Sequence, residues 1–132
     1  MKLHTNYRNR HGDYSLEELW KRACPDDAPE KDGMLGLIAR LKEVPLDAEI
    51  YAVISMNSLV LMTEPDAMAM DWWVRVECIQ WARPAFRIFA LIPEEMAPWP
   101  NAYAYTEVYS LADAVDKVTI GIKYCGAWDT PG

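Results

Sequence analysis

Between Asp71 and Ile92 polar and apolar positions alternate with a period of two, and the rest of the chain is expected to pack around the hairpin this predicts. In the first strand, Asp71 to Gln80, the residues Trp72, Val74, Val76 and Cys78 share one face. Asp71, Trp73, Arg75, Glu77 and Ile79 share the other, partly wet, face. In the second, Pro84 to Ile92, Phe86, Ile88, Ala90 and Ile92 alternate with Ala85, Arg87, Phe89 and Leu91, so even the face carrying Arg87 is mostly apolar and is expected to be covered. Upstream, Ile50, Ala52, Ile54 and Met56 alternate with Tyr51, Val53 and Ser55, and Asn57-Ser58 turns the chain into Leu59 to Thr63. Both faces of that hairpin are apolar, which predicts interior strands with helices on each side. Asn101 to Tyr109 gives a fifth strand, with Tyr103, Tyr105, Glu107 and Tyr109 on one face.

Helical spacing occupies the two ends. Ser15 with Glu18 three residues on is a capping-box pattern, and Leu16, Leu19, Trp20 and Ala23 form one stripe of a short helix ended by Cys24-Pro25. Pro25 to Asp32 reads as an acidic loop, followed by a helix over Gly33 to Glu43 with Met34, Leu37, Ile38 and Leu41 buried. Ser110 caps a last helix whose stripe is Leu111, Ala114, Val115, Val118 and Ile122, with Gly126 as the C-terminal glycine. A rival reading makes Val118 to Tyr124 a strand, but no turn residue separates the two halves. Residues 1 to 13 predict an irregular or short edge segment. The fold class is α+β: one domain over residues 1 to 132, with a mainly antiparallel sheet of about five strands, two short N-terminal helices and a C-terminal helix packed on it.

Charge narrows the partners. Thirteen Lys and Arg stand against twenty Asp and Glu, a formal net charge of −7, which repels phosphate backbones and argues against nucleic acid. The same charge suits a basic protein partner. No uncharged run approaches membrane-spanning length, and the N-terminus lacks the apolar core of a signal peptide. Cys24, Cys78 and Cys125 are widely spaced and form no C-x-x-C pair, so a reducing, cytoplasmic setting is expected.

Catalytic patterns are missing. There is no Gly-x-Ser-x-Gly elbow and no phosphate-cradling loop, since Gly33-Met34-Leu35-Gly36 lacks the lysine. His4 and His11 lack a third metal ligand of obvious spacing, and Asp26, Asp27, Glu30 and Asp32 lack the ordered calcium-loop pattern. Asp26-Asp27 and Glu94-Glu95 read as solvated loop carboxylates, and Cys78 as packing. The expectation is a non-enzymatic protein with no cofactor and no metal.

Large aromatics among acids are the remaining signal. Trp73, Trp99, Tyr103 and Tyr105 stand near Glu64, Asp66, Asp71, Glu94 and Glu95, and tryptophan and tyrosine dominate binding hot spots while acidic rims attract basic targets. These nine residues are the predicted partner-binding surface. Trp99, between Pro98 and Pro100, cannot enter a helix or a central strand and is either pinned on the domain or presented outward.

At the end of the chain, Tyr109-Ser110-Leu111-Ala112-Asp113-Ala114-Val115 followed by Tyr124-Cys125-Gly126-Ala127-Trp128 resembles the closing helix and Gly-x-Trp tail of some small bacterial toxin-immunity proteins. The resemblance covers about a sixth of the chain. It implies a small, acidic, cytoplasmic α+β domain that neutralises a cognate secreted toxin by occluding its active site. It brings no functional residue with it, because such proteins contact their toxins through surfaces that differ between families. A phage-encoded inhibitor of a host defence enzyme, a secretion chaperone and a small enzyme are the alternatives.

Overall fold

The alternation between Asp71 and Ile92 does form an antiparallel pair in the computed structural model, which describes residues 1–6, 15–23, 29–55, 58–66, 68, 71–79 and 85–128. The elements run β1 (Lys2–Thr5), α1 (Leu16–Ala23), α2 (Pro29–Glu43), β2 (Glu49–Ser55), β3 (Ser58–Met62), β4 (Val74–Ile79), β5 (Ala85–Leu91), β6 (Tyr103–Val108) and α3 (Leu111–Cys125). The strands lie in sequence order in one six-stranded sheet. β2 to β6 form an antiparallel meander, and β1 pairs parallel with β2 after the crossover through α1 and α2. The architecture is α+β as expected, but the sheet is mixed and has a sixth strand.

The helices begin and end for local reasons. Ser15 Oγ accepts the Glu18 backbone N–H at 3.2 Å, and the Glu18 carboxylate accepts the Ser15 hydroxyl instead of reaching the backbone as in a full capping box. α2 starts at Pro29, four residues before the expected Gly33, because proline at the first helical position surrenders only an N–H that has no partner there anyway. It is therefore a full-length helix, not a short one. Met34, Leu37, Ile38 and Leu41 are all fully buried, as their spacing predicts. α3 is one continuous helix: Ser110 Oγ accepts the Asp113 N–H at 3.1 Å, and Gly126 closes it at φ 75°. Beyond it, Trp128 Nε1 donates to the Glu49 carbonyl at 3.1 Å, so the tail ties α3 back to β2.

All three helices cover one face of the sheet. Leu3, Ile50, Ala52, Leu59, Leu61, Val74, Val76, Cys78, Phe86 and Ile88 face them and, with Trp20 and the α2 stripe, make the core. Helices on both sides of the β2–β3 hairpin were expected. The α1–α2 crossover before the meander and the terminal helix α3 after it instead dock on the same side, and the opposite face carries no helix among the described residues. That face holds Tyr51, Val60, Met62, Arg75, Glu77, Arg87, Phe89, Tyr103, Tyr105 and Glu107 in register. Arg87 and Phe89 there are half-buried, while Val60 and Met62 on the same face are buried.

The alternation also stops earlier than expected. β4 begins at Val74, not Asp71, and before it the two tryptophans exchange roles: Trp73 packs against the core, while the Trp72 ring meets Tyr103. Period-two logic holds only where a residue has strand dihedrals, and Asp71 lies in a 3-10 turn. His11, Cys24, Asp26, Asp27, Met56 and Asn57 lie outside the described residues.

Candidate functional site

An antiparallel meander returns every second connection to the same end of the sheet. The β3–β4 connection, with Glu64, Asp66 and Asp71, and the β5–β6 connection, with Glu94, Glu95 and Trp99, therefore share one end. Backbone bonds lock the strands where the connections leave: Trp73 N–H donates to Leu61 O at 2.9 Å, Leu91 N–H to Trp73 O at 3.0 Å, and Ile92 N–H to Ala102 O at 2.9 Å. The second connection is shaped by a 3-10 turn at Glu94–Met96 and by Asn101, whose φ of 64° lies in the left-handed region that asparagine tolerates. The second connection borders a cleft of about 570 Å³ lined by Leu91, Ile92, Glu94, Trp99 and Asn101, which Trp73 reaches from the first connection. Trp99 is 67% exposed, so its prolines present it outward. Glu64, Asp66, Asp71, Glu94 and Glu95 are exposed as well.

Tyr103 and Tyr105 belong to an adjoining aromatic cluster on the helix-free face. Phe89 is its centre, 5.4 Å from the Tyr103 ring and 5.1 Å from the Tyr105 ring, with the Arg75 guanidinium 5.3 Å from its centroid. Such edge and cation contacts are favourable through the ring quadrupole. Trp72 joins from the first connection at 6.1 Å from Tyr103. Trp73 is the exception among the predicted residues: it lines the cleft but is half-buried and packed on the core.

Charge on this face is internally balanced. Arg75 pairs with Glu77, and Arg87 lies 3.7 Å from Glu107. Glu107 also accepts the hydroxyls of Tyr105 at 3.1 Å and Tyr109 at 3.0 Å. Desolvation, then the Glu107 carboxylate, pushes the Tyr105 hydroxyl above its ordinary value; for Tyr109 the bond to Glu107 is the main cause of the same rise. Arg75 Nε and Arg87 Nε are buried without a hydrogen-bond partner among the described residues.

Cys78 and Cys125 are buried, and His4 on the far strand is occupied by Glu49 and packs 5.2 Å from the Tyr51 ring. Among the described residues no group of three or more His, Cys, Asp or Glu could hold a metal ion, and no helix is long and apolar enough to cross a membrane. Phe89, Arg75, Glu107 and Trp72 were missed as site residues. Alternation placed Glu107 on one face of its strand with Tyr103 and Tyr105; only the strand register brings Phe89 and Arg75 to that face. No family model, no curated protein and no solved structure matches this chain.

Proposed function

We propose that this protein is a non-catalytic inhibitor of a basic protein partner, in its specific form a bacterial immunity protein that occludes a toxin encoded beside it. The observation that carries the reading is Trp99, held two-thirds exposed between two prolines on an end of the sheet bearing five exposed carboxylates. An indole kept in water forgoes the burial a core would give it, and gains that burial when it enters a partner's pocket. Its rigid proline frame lowers the entropy of docking. The carboxylates around it supply long-range attraction for a cationic surface.

The test is a titration of wild type, Trp99→Ala and the Glu94→Lys/Glu95→Lys pair against the toxin domain of the adjacent gene, at low and physiological salt. Trp99→Ala is expected to weaken binding by about 2 kcal/mol, roughly 30-fold. The charge reversal is expected to slow association and flatten the salt dependence. Unchanged affinity and salt response in folded variants would remove this surface from the function.

A further inference from the structure

The sheet has two edges and they are built differently. β1 carries Lys2 and His4, charged or polar groups that discourage strand addition. β6 has the sequence Tyr-Ala-Tyr-Thr-Glu-Val, with neither lysine nor proline, and its residues Tyr103, Ala104 and Tyr105 are exposed. Its single charge, Glu107, is already engaged by Arg87, Tyr105 and Tyr109. Among the described residues no strand lies beyond it.

The direction of its backbone groups follows from the register. Ile92 donates to Ala102, which makes that opposed pair a hydrogen-bonded one. Such pairs alternate along an antiparallel ladder, so Ala104, Thr106 and Val108 bond to β5 while Tyr103, Tyr105 and Glu107 turn their N–H and C=O groups away from it. The donation of Leu91, opposite Tyr103, to Trp73 on β4 agrees with this. The helix side of the same edge is also open. A groove of about 220 Å³, lined by Ile88, Ala104, Thr106, Lys117, Ile120 and Tyr124, runs between β6 and α3, with Ile120 50% and Tyr124 44% exposed.

We propose that β6 pairs with β6 of a second copy of this chain, antiparallel about a two-fold axis at Tyr105, joining two sheets into one. Strand faces must match, and of the matching registers the one that opposes Tyr105 to Tyr105 and Tyr103 to Glu107 satisfies all three outward-facing residues of each copy. It also keeps the two Glu107 carboxylates apart and gives each a tyrosine hydroxyl opposite. The two α3 helices, each over β5, then stand three strand spacings apart, about 14 Å. The Ile120 and Tyr124 side chains of both copies fill that gap. Tyr103, Tyr105 and Tyr124 are about half exposed and Tyr109 two-thirds, so with Ile120 the pairing covers roughly 400–500 Å² per copy, about 800–1,000 Å² in total, less than the ~1,200 Å² of a stable interface and the size of a weak, reversible dimer. Each copy carries a net charge of −7, so added salt tightens the dimer, opposite to its effect on a basic partner. The inference does not rest on the inhibitor reading.

Sedimentation of the full chain across micromolar to millimolar concentrations tests it. The expected result is a monomer–dimer equilibrium that shifts toward dimer as salt rises. Tyr105→Pro removes no backbone bond to β5, only an outward N–H and the phenol that meets Phe89 and Glu107, and is expected to weaken the dimer by at least about tenfold while the sheet's circular dichroism signal is retained. In a Cys24→Ser background, Tyr105→Cys is expected to form a covalent dimer on mild oxidation, since an opposed hydrogen-bonded pair has the Cα separation a disulfide takes. Asp47→Cys, exposed before β2, is expected not to form one. A chain that stays monomeric throughout, or a Tyr105→Cys that cross-links no faster than Asp47→Cys, would overturn the proposal. So would a dimer indifferent to Tyr105→Pro. Should that variant unfold, Tyr105→Lys replaces it, with the same outcomes.

Discussion

At Gly121 α3 lies tight against β4 and β5, and enlarging this residue tests the packing of the helix on the sheet. A Cβ at this position would lie 3.2 Å from the Ala90 Cβ and 3.7 and 3.8 Å from the two Val74 methyls. The first distance is tighter than ordinary van der Waals contact, and both neighbours sit on paired central strands that cannot retreat cheaply. Gly121→Ala therefore sets a helix-propensity gain of about 1 kcal/mol against a forced shift of a few tenths of an ångström, and is expected to come out near neutral. Gly121→Val adds two more methyls to the same space. Overpacking of that size costs about 1–3 kcal/mol, a large share of the roughly 5–15 kcal/mol that holds a domain of this kind together.

Urea unfolding followed by circular dichroism measures the loss. The expected value is about 2 kcal/mol, which corresponds to a fall in Tm of roughly 6–10 °C. Ala90→Gly opens space at the contact, so in a double-mutant cycle it is expected to return about 1 kcal/mol or more of what Gly121→Val loses. A Gly121→Val protein as stable as wild type, or strictly additive losses in the cycle, would refute the close approach. Were Val118 to Tyr124 a strand, valine would be favoured there.

Other tests address single contacts. Val76→Asp is expected to give no soluble folded protein, because Val76 is fully buried between β3 and β5 and a carboxylate there has no partner; a normal melting curve would refute its position. Glu17 feels burial, which works upward, but the Lys42 ammonium at 2.7 Å and the other hydrogen bonds prevail and hold its carboxyl below the ordinary 4.5. The fold favours its ionised form, so this contribution is full above pH 4.5 and lost as pH falls through the lowered value. Glu17→Gln is expected to flatten that part of the acid limb in denaturant titrations. Tyr109 is raised above 10.0 chiefly by its bond to Glu107, so its contribution is present below pH 10.0 and lost as pH rises through the raised value. Ultraviolet titration, with Tyr109→Phe as the subtraction, is expected to show Glu107→Gln bringing that ionisation down; an unmoved titration would refute the bond.

Much of the fold was legible because it is written within a few residues. Helix stripes such as Met34, Leu37, Ile38 and Leu41 need only the 3.6-residue period, and the caps at Ser15 and Ser110 need only a hydroxyl three residues before a free N–H. The alternation of Phe86, Ile88 and Ala90 sorted β5 correctly between the helix-covered face and the opposite one, and the proline frame of Trp99 limited it to two fates. Charge and the spacing of cysteines and histidines likewise act through composition alone. What alternation cannot do is choose a partner.

Tertiary structure made that choice. The four residues of β1 carry too little pattern to declare a strand, and they become one only because β2 offers an edge to pair with. Which face of the sheet the helices take is settled when the α1–α2 crossover and the terminal helix α3 find the same apolar side, leaving Phe89 and Arg87 half-buried on the side that carries no helix among the described residues. Trp72 and Trp73 are adjacent in sequence and equally apolar, so only the turn at Asp71 and the bonds of Trp73 to Leu61 and Leu91 decide which indole enters the core. The candidate surface divides in the same way. Its residue types were visible in the sequence, but the gathering of Phe89, Arg75, Tyr103 and Tyr105 depends on register between three strands, a property of pairs of segments and of neither segment alone.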